Sequence, residues 1–220
     1  MRKVRILILI ALAVGVARAS SATVITFDAL ANVTNNLQAG STFDAQGVHI
    51  STLTSVPATV DGIGDTFTAT LLSDTFWLIS NPGGDGSVSP LNFAAATNGG
   101  LNEVLFSFST PITSLSLQTD STFGESPEIV RLFALQLIGP NLYQVIAVAE
   151  GLDNATAFPA NFLQVTGGAF SFALFQTTTE QEGFDNLTFT PIPEPATLGL
   201  LCTGLAGLAG RRWRKSRSSR

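Results

Sequence analysis

Along most of the chain, apolar and polar residues alternate in short runs. Val24–Leu30 (VITFDAL) opens the series, and Thr66–Leu71 (TFTATL) sets Phe67, Ala69 and Leu71 against three threonines. Val104–Ser109 (VLFSFS) puts Val104, Phe106 and Phe108 on one face, and Ser114–Thr119 (SLSLQT) does the same with Leu115 and Leu117. VRLFALQLI, YQVIAVA, FSFALF and NLTFT follow. A period of two is the mark of half-buried strands. Between the runs stand NPGGDG, NGG, STPIT, GPN, GLDN and TGG, whose Gly, Pro and Asn predict turns. No amphipathic helical period appears before the C-terminal apolar run, and no internal repeat is evident. The pattern predicts an all-β chain: an antiparallel β-sandwich, jelly-roll-like, of about eight to ten strands.

The two ends break this pattern. Arg2, Lys3 and Arg5 precede an apolar stretch from Ile6 to Ala17, and small residues up to Ala22 follow. That is the arrangement of a secretory signal peptide over residues 1–22, which implies passage through the Sec export machinery. Its apolar stretch would form a helix about 18 Å long, short of a hydrocarbon core of about 30 Å. At the other end, Ala196–Gly210 is apolar except for Thr197 and Thr203, and the tail carries Arg211, Arg212, Arg214 and Lys215. A short transmembrane helix with a basic cytoplasmic tail is expected, which places the body outside. Pro193, Glu194 and Pro195 should be extended, because proline fixes its own φ and keeps the preceding residue out of helical geometry. The organisation expected is therefore a signal peptide, a sandwich domain over residues 23–190, and a terminal segment over 191–220.

Charge sharpens the picture. Between Ser20 and Pro195 the sixteen Asp and Glu residues face Arg131 alone, a formal charge of −15 against −5 for the whole chain. Such a body is repelled by nucleic acid and by anionic membrane surfaces, so neither is an expected partner. The single cysteine, Cys202, lies in the C-terminal run, so the body has no internal disulfide.

Pro193-Glu194-Pro195, then Ala196-Thr197, a Leu/Gly/Ala-rich helix and an Arg-rich tail resemble the PEP-CTERM sorting signal of Gram-negative bacteria. The resemblance covers the last 30 residues or so. It implies recognition by exosortase, a membrane-embedded transpeptidase-like enzyme, with removal of the helix and tail near the Pro-Glu-Pro motif. The implied course is export across the inner membrane, transient anchoring, and delivery to the outer surface or the exopolysaccharide and biofilm matrix. ITFD near the start, FSFSTPITSLSLQ in the middle and FDNLTFTPIPEP at the close resemble the extracellular jelly-roll modules carried by such proteins, in which first and last strands pair.

Candidate chemistry is sparse. The body holds one histidine (His49), no cysteine, no lysine and one arginine. Zinc sites, nucleophile elbows, phosphate loops and dinucleotide fingerprints are all missing. His49 reads as a structural histidine in a strand. The carboxylate pairs Glu125/Glu128 and Glu180/Glu182 lie in polar turns, and they read as solvated loop residues rather than the acid and base of a glycosidase. No enzyme and no cofactor are expected. The alternative to a passive matrix component is a carbohydrate-binding module, with Trp77 and Tyr143 as candidate platforms for an extracellular polysaccharide. A structural Ca2+ would suit such a module. It would be held by Asp28 and Asp185 if the outer strands pair, or by the loops at Asp61–Asp65 or Gly83–Gly86, because calcium takes clustered oxygen ligands.

Overall fold

Twelve strands and one 3₁₀ segment build the described part of the protein. The computed structural model describes residues 21–27, 30, 36–54, 56–57, 59–80, 92–95, 103–120, 128–153, 161–178 and 183–192. In chain order the strands are β1 (Thr23–Ile25), β2 (Asn36–Ala39), β3 (Val48–Leu53), β4 (Thr66–Thr68), β5 (Leu71–Ser73), β6 (Thr75–Ser80), β7 (Asn92–Ala95), β8 (Glu103–Asp120), β9 (Glu128–Gly139), β10 (Leu142–Asp153), β11 (Asn161–Thr177) and β12 (Gly183–Pro191). The 3₁₀ segment, Gly40–Gln46, joins β2 to β3. Among the described residues no helix is long and apolar enough to cross a membrane; the expected signal peptide and C-terminal helix lie outside them.

All recorded strand pairs are antiparallel, and two long strands make the sandwich. The first half of β8 lies between β3 and the second half of β11, in a layer continued by β9, β10 and β4. Its second half lies between β12 and the first half of β11, in a layer continued by β7, β6 and β2. Strands that pass from one layer to the other through bulges are a known way to fold one sheet over itself. The register shifts sit at that passage: Thr166 pairs with Ser114, Phe170 with Ile112, then Phe172 with Ser107.

Two expected turns are thereby corrected. Neither STPIT (109–113) nor TGG (166–168) reverses the chain; both are interior to long strands, facing each other across the bend. Proline lacks a ladder donor and glycine lacks a side chain to pack, so both collect at bulges as well as at turns. The Pro111 carbonyl still takes part, accepting the Ile192 N–H at 2.8 Å. GPN does reverse the chain between β9 and β10, with Asn141 at φ 55°. Among the described residues of the expected run Val24–Leu30, the strand covers Thr23–Ile25, and it pairs with Leu187–Phe189 of β12, so first and last strands do meet.

The main core lies between the layers. Phe184 of β12 meets Phe106 and Phe175 of the facing layer edge-on at 5.4 Å each, and Phe27 at 5.6 Å. Edge-to-face pairs of this kind add about 0.5–1.5 kcal/mol each beyond the area they bury. On the opposite face of β9–β11, a smaller core of Leu105, Phe133, Leu135, Tyr143, Val145 and Leu174 is covered by Leu53, Val56, Val60, Phe67 and Ala69. That outer face bears the polar features below.

Candidate functional site

Strand register sets three rows across this outer face. His49 stands opposite Ser107, Ser107 opposite Phe172, and Phe172 opposite Leu135. Two residues along, Ser51, Leu105, Leu174 and Phe133 form the next row. The third row is Glu103, Gln176, Arg131 and Glu150. Because side chains alternate along a strand, each row points to the same face.

The first row opens into a groove of about 330 Å³, lined by Asp44, Gly47, Val48, His49, Ser107, Phe108, Ser109 and Phe172. Gly47 ends the 3₁₀ segment at φ 94°, a conformation that glycine adopts without strain. From there its carbonyl accepts the Ser109 N–H at 3.0 Å and ties the segment to β8. Phe172 is half-buried, its ring edge-on to Tyr143 at 5.3 Å. The groove thus joins one half-buried aromatic ring to two serine hydroxyls and a carboxylate.

His49 builds one wall. Its Nδ1 bonds Asp44 Oδ1 at 2.8 Å and its Nε2 bonds Asp74 Oδ1 at 2.5 Å. A neutral imidazole has one N–H, so only the imidazolium donates to both carboxylates at once. Partial burial pulls the His49 pKa down, but the hydrogen bonds and charges of Asp74 and Asp44 outweigh it, and the net shift is upward from 6.5. Asp44 belongs to the 3₁₀ segment and Asp74 to the turn between β5 and β6, so one ring fastens three pieces of chain. Gly40 makes room for the fastening: a Cβ there would stand 2.8 Å from Asp74 Oδ1 and 2.9 Å from His49 Nε2. With both nitrogens engaged, neither is open to take a proton from Ser107.

The third row begins beneath Val56, whose N–H and carbonyl face Glu103 and Gln176, and runs out to the half-exposed Glu150. Glu103 is fully buried, and it accepts the Val56 N–H. Burial pushes its pKa up to about 7, against the opposing hydrogen bonds of Val56 and Gln176. Arg131, the body's one arginine, is buried and donates through Nε to Glu150 Oε2 at 2.8 Å. Within the described residues, Glu103 Oε1, Gln176 Oε1 and Arg131 Nη1 have no hydrogen-bond partner.

The residues nominated from sequence are scattered. Tyr143 is in the smaller core, stacked on Phe67 at 5.8 Å, where a ring offers no open face; burial raises its hydroxyl pKa. Trp77 is half-buried on β6, opposite Leu37 and Ala95 and on the strand face away from the core residues Phe76 and Leu78. Asp185 is buried, with Oδ1 accepting the Phe27 N–H at 3.2 Å, while Asp28 lies outside the described residues. Asp65 of the DGIGD loop turns inward on its own backbone, accepting the Gly62 N–H at 2.9 Å and the Asp61 N–H at 3.1 Å, and these bonds lower its pKa. Among the described residues no three His, Cys, Asp or Glu side chains are grouped to hold a metal. Pro193, Glu194, Pro195, Arg211, Arg212, Arg214, Lys215, the Gly83–Gly86 loop and Glu125, Glu180 and Glu182 also lie outside the described residues, as does the Glu128 side chain. Sequence reasoning passed over Asp44, Asp74 and Phe172. The lone histidine was the available signal, but its partners stand 5 and 25 residues away.

The PEP-CTERM protein-sorting motif matches residues 191–215. No curated protein matches the chain by sequence. Among solved structures, a family 11 carbohydrate-binding module from Clostridium thermocellum, in complex with a β-1,3-1,4-mixed-linked tetrasaccharide, is similar at 10% identity and a TM-score of 0.34, covering 80% of this chain and 99% of its own. A second module, TmCBM27, described by its specific mannan recognition, is similar at 6% identity and a TM-score of 0.26, covering 79% and 99%. The enzymatically active domain of bacteriophage CBA120 tailspike protein 4 is similar at 12% identity and a TM-score of 0.27, covering 76% of this chain and 20% of its own. At these scores the likenesses assign no ligand to this chain.

Proposed function

We propose that this chain is an exported, non-catalytic protein of the cell envelope or exopolysaccharide matrix, delivered by its C-terminal sorting signal. The PEP-CTERM motif at residues 191–215 carries this reading. It implies a membrane-embedded exosortase as processing partner, with Pro193, Glu194 and Pro195 presented as extended peptide and the basic tail held on the cytoplasmic side. The signal peptide at residues 1–22 and export by the Sec route belong to the same proposal. A non-catalytic role is supported by His49, whose two nitrogens are both committed to carboxylates. Intact mass spectrometry of the secreted protein, from cells with and without exosortase, tests the reading. A mature form ending near Pro195 only when the enzyme is present is expected; a full-length C-terminus in both strains overturns it.

The groove favours a second reading, that the sandwich binds an extracellular polysaccharide. A pyranose ring has an apolar face and a hydroxyl rim, and the groove offers the half-buried ring of Phe172 to the one and Asp44, Ser107 and Ser109 to the other. Retention on immobilised polysaccharide, lost in Phe172→Ala while the circular dichroism spectrum is kept, is the expected result. Equal retention of the variant removes the groove from the reading.

A further inference from the structure

The three pieces of chain that His49 fastens include the wall of the groove: Asp44, Gly47 and His49 all line it, and Asp74 holds the ring from behind. We propose that the groove is a pH-gated site for an uncharged hexose polymer, its wall set while His49 bridges Asp44 and Asp74 and released when the bridge loses its proton. This rests on the polysaccharide reading above and adds the ligand's charge class and its control.

The charge class follows from the groove's surroundings. The lining contains a carboxylate and no lysine or arginine, in a body whose formal charge is −15. The body's one arginine is buried and paired with Glu150. A uronate or sulfated polymer would meet one imidazolium already balanced by the two carboxylates Asp44 and Asp74, a cluster of net negative charge, and like charges brought together are costly. A neutral ring meets only hydrogen-bonding groups and an aromatic face.

The gate follows from proton counting at the ring. With two protons the imidazole donates to both carboxylates. With one, either Nδ1 or Nε2 presents a lone pair to a carboxylate oxygen, and that contact turns repulsive. The charged groups facing His49 are Asp44 from the 3₁₀ segment and Asp74 from the β5–β6 turn; β8 opposite contributes only the uncharged Ser107. The 3₁₀ segment then keeps its backbone ties at its ends, Gly40 to the Asp74 carbonyl and Gly47 to Ser109, and loses the side-chain tie at Asp44 between them. Because His49 holds its proton more tightly with the wall in place, the set wall is favoured at low pH and lost as pH rises through the His49 pKa, above 6.5.

Asp74→Asn separates gate from site. An asparagine amide donates to Nε2, so a neutral ring protonated on Nδ1 keeps both bonds, and the clamp no longer needs the second proton. The experiment is isothermal calorimetry of the full chain in detergent with a soluble mixed-linkage β-glucan between pH 5.5 and 8.5. A soluble polyuronate is run in parallel. The natural chain is expected to lose affinity several-fold as pH rises through the His49 pKa, binding tightest at pH 5.5 and weakest at pH 8.5. Asp74→Asn should bind with little change from end to end, and the polyuronate should not bind at any pH. A pH-independent affinity in the natural chain overturns the gate and leaves the polysaccharide reading standing. Binding of the polyuronate overturns the charge assignment. Failure of the β-glucan at every pH overturns the proposal, while retention on immobilised polysaccharide with and without Phe172→Ala decides the polysaccharide reading separately.

Discussion

Glu103 on β8 stands directly opposite Gln176 on β11, both shut away from solvent beneath the segment that carries Val56. One Glu103 oxygen accepts the Val56 N–H; the other, like the Gln176 carbonyl oxygen, has no partner among the described residues. A protonated Glu103 is the form that such a site favours, since an uncompensated buried carboxylate is expensive.

The consequence is a pH-dependent stability. The folded pKa of Glu103 is raised from 4.5 to about 7, so the folded state binds its proton more tightly than the unfolded chain does. Stability is therefore fully present below about pH 4.5 and lost as pH climbs toward 7, by at most about 3 kcal/mol. Glu103→Gln keeps the shape, still accepts from Val56 and carries no charge. It is expected to melt higher than the natural chain at pH 8 and alike at pH 4.5. Equal melting temperatures at both pH values would show that Glu103 ionises without cost.

Gly40 permits the His49 clamp by having no side chain. Gly40→Ala drives a methyl against Asp74 Oδ1, His49 Nε2 and the Ile50 carbonyl, and only the side chains can yield. The expected cost is about 1–3 kcal/mol in urea unfolding. His49 Nε2, followed by nitrogen NMR, should lose its upward pKa shift in this variant.

Arg131 is buried while its partner Glu150 is half exposed. Glu150→Ala strands a guanidinium in the smaller core, whereas Arg131→Met removes the charge and keeps much of the volume. Losing the partner should be the worse change, by about 1–2 kcal/mol after discounting for solvent at Glu150. Chemical unfolding of both variants checks the order, which the reverse ranking would refute.

Asp185 joins the last strand to the chain that leaves the first, through the Phe27 N–H. Asp185→Ala is expected to cost about 1–3 kcal/mol by leaving that buried donor short of its acceptor. Melting in calcium and in chelator tests the proposed cation at Asp28 and Asp185. A calcium-dependent rise that Asp185→Ala abolishes would put an ion there, and superimposable curves would leave only the hydrogen bond.

The strands were legible in sequence because a half-buried strand writes its burial pattern directly into alternate residues. Val104, Phe106 and Phe108 all enter the main core as their spacing predicts. The bend at residues 109–113 and 166–168 was not, because glycine and proline serve turns and bulges alike, and only the partner strand distinguishes them. Tyr143 reads as a platform in isolation; Phe67, 76 residues earlier, is what covers it.

The sequence by itself determined the strand-rich class, the acidic body and the C-terminal sorting motif, since each is written in contiguous residues: an alternation, a charge count, a tripeptide with its flanks. Only the tertiary structure decided that Asp44, His49 and Asp74 form one clamp, that Phe172 edges a groove, and that Glu103 and Arg131 lie in one buried row. These depend on register between strands far apart in the chain. Register is settled by how two layers close over a shared core, which no local stretch of residues encodes.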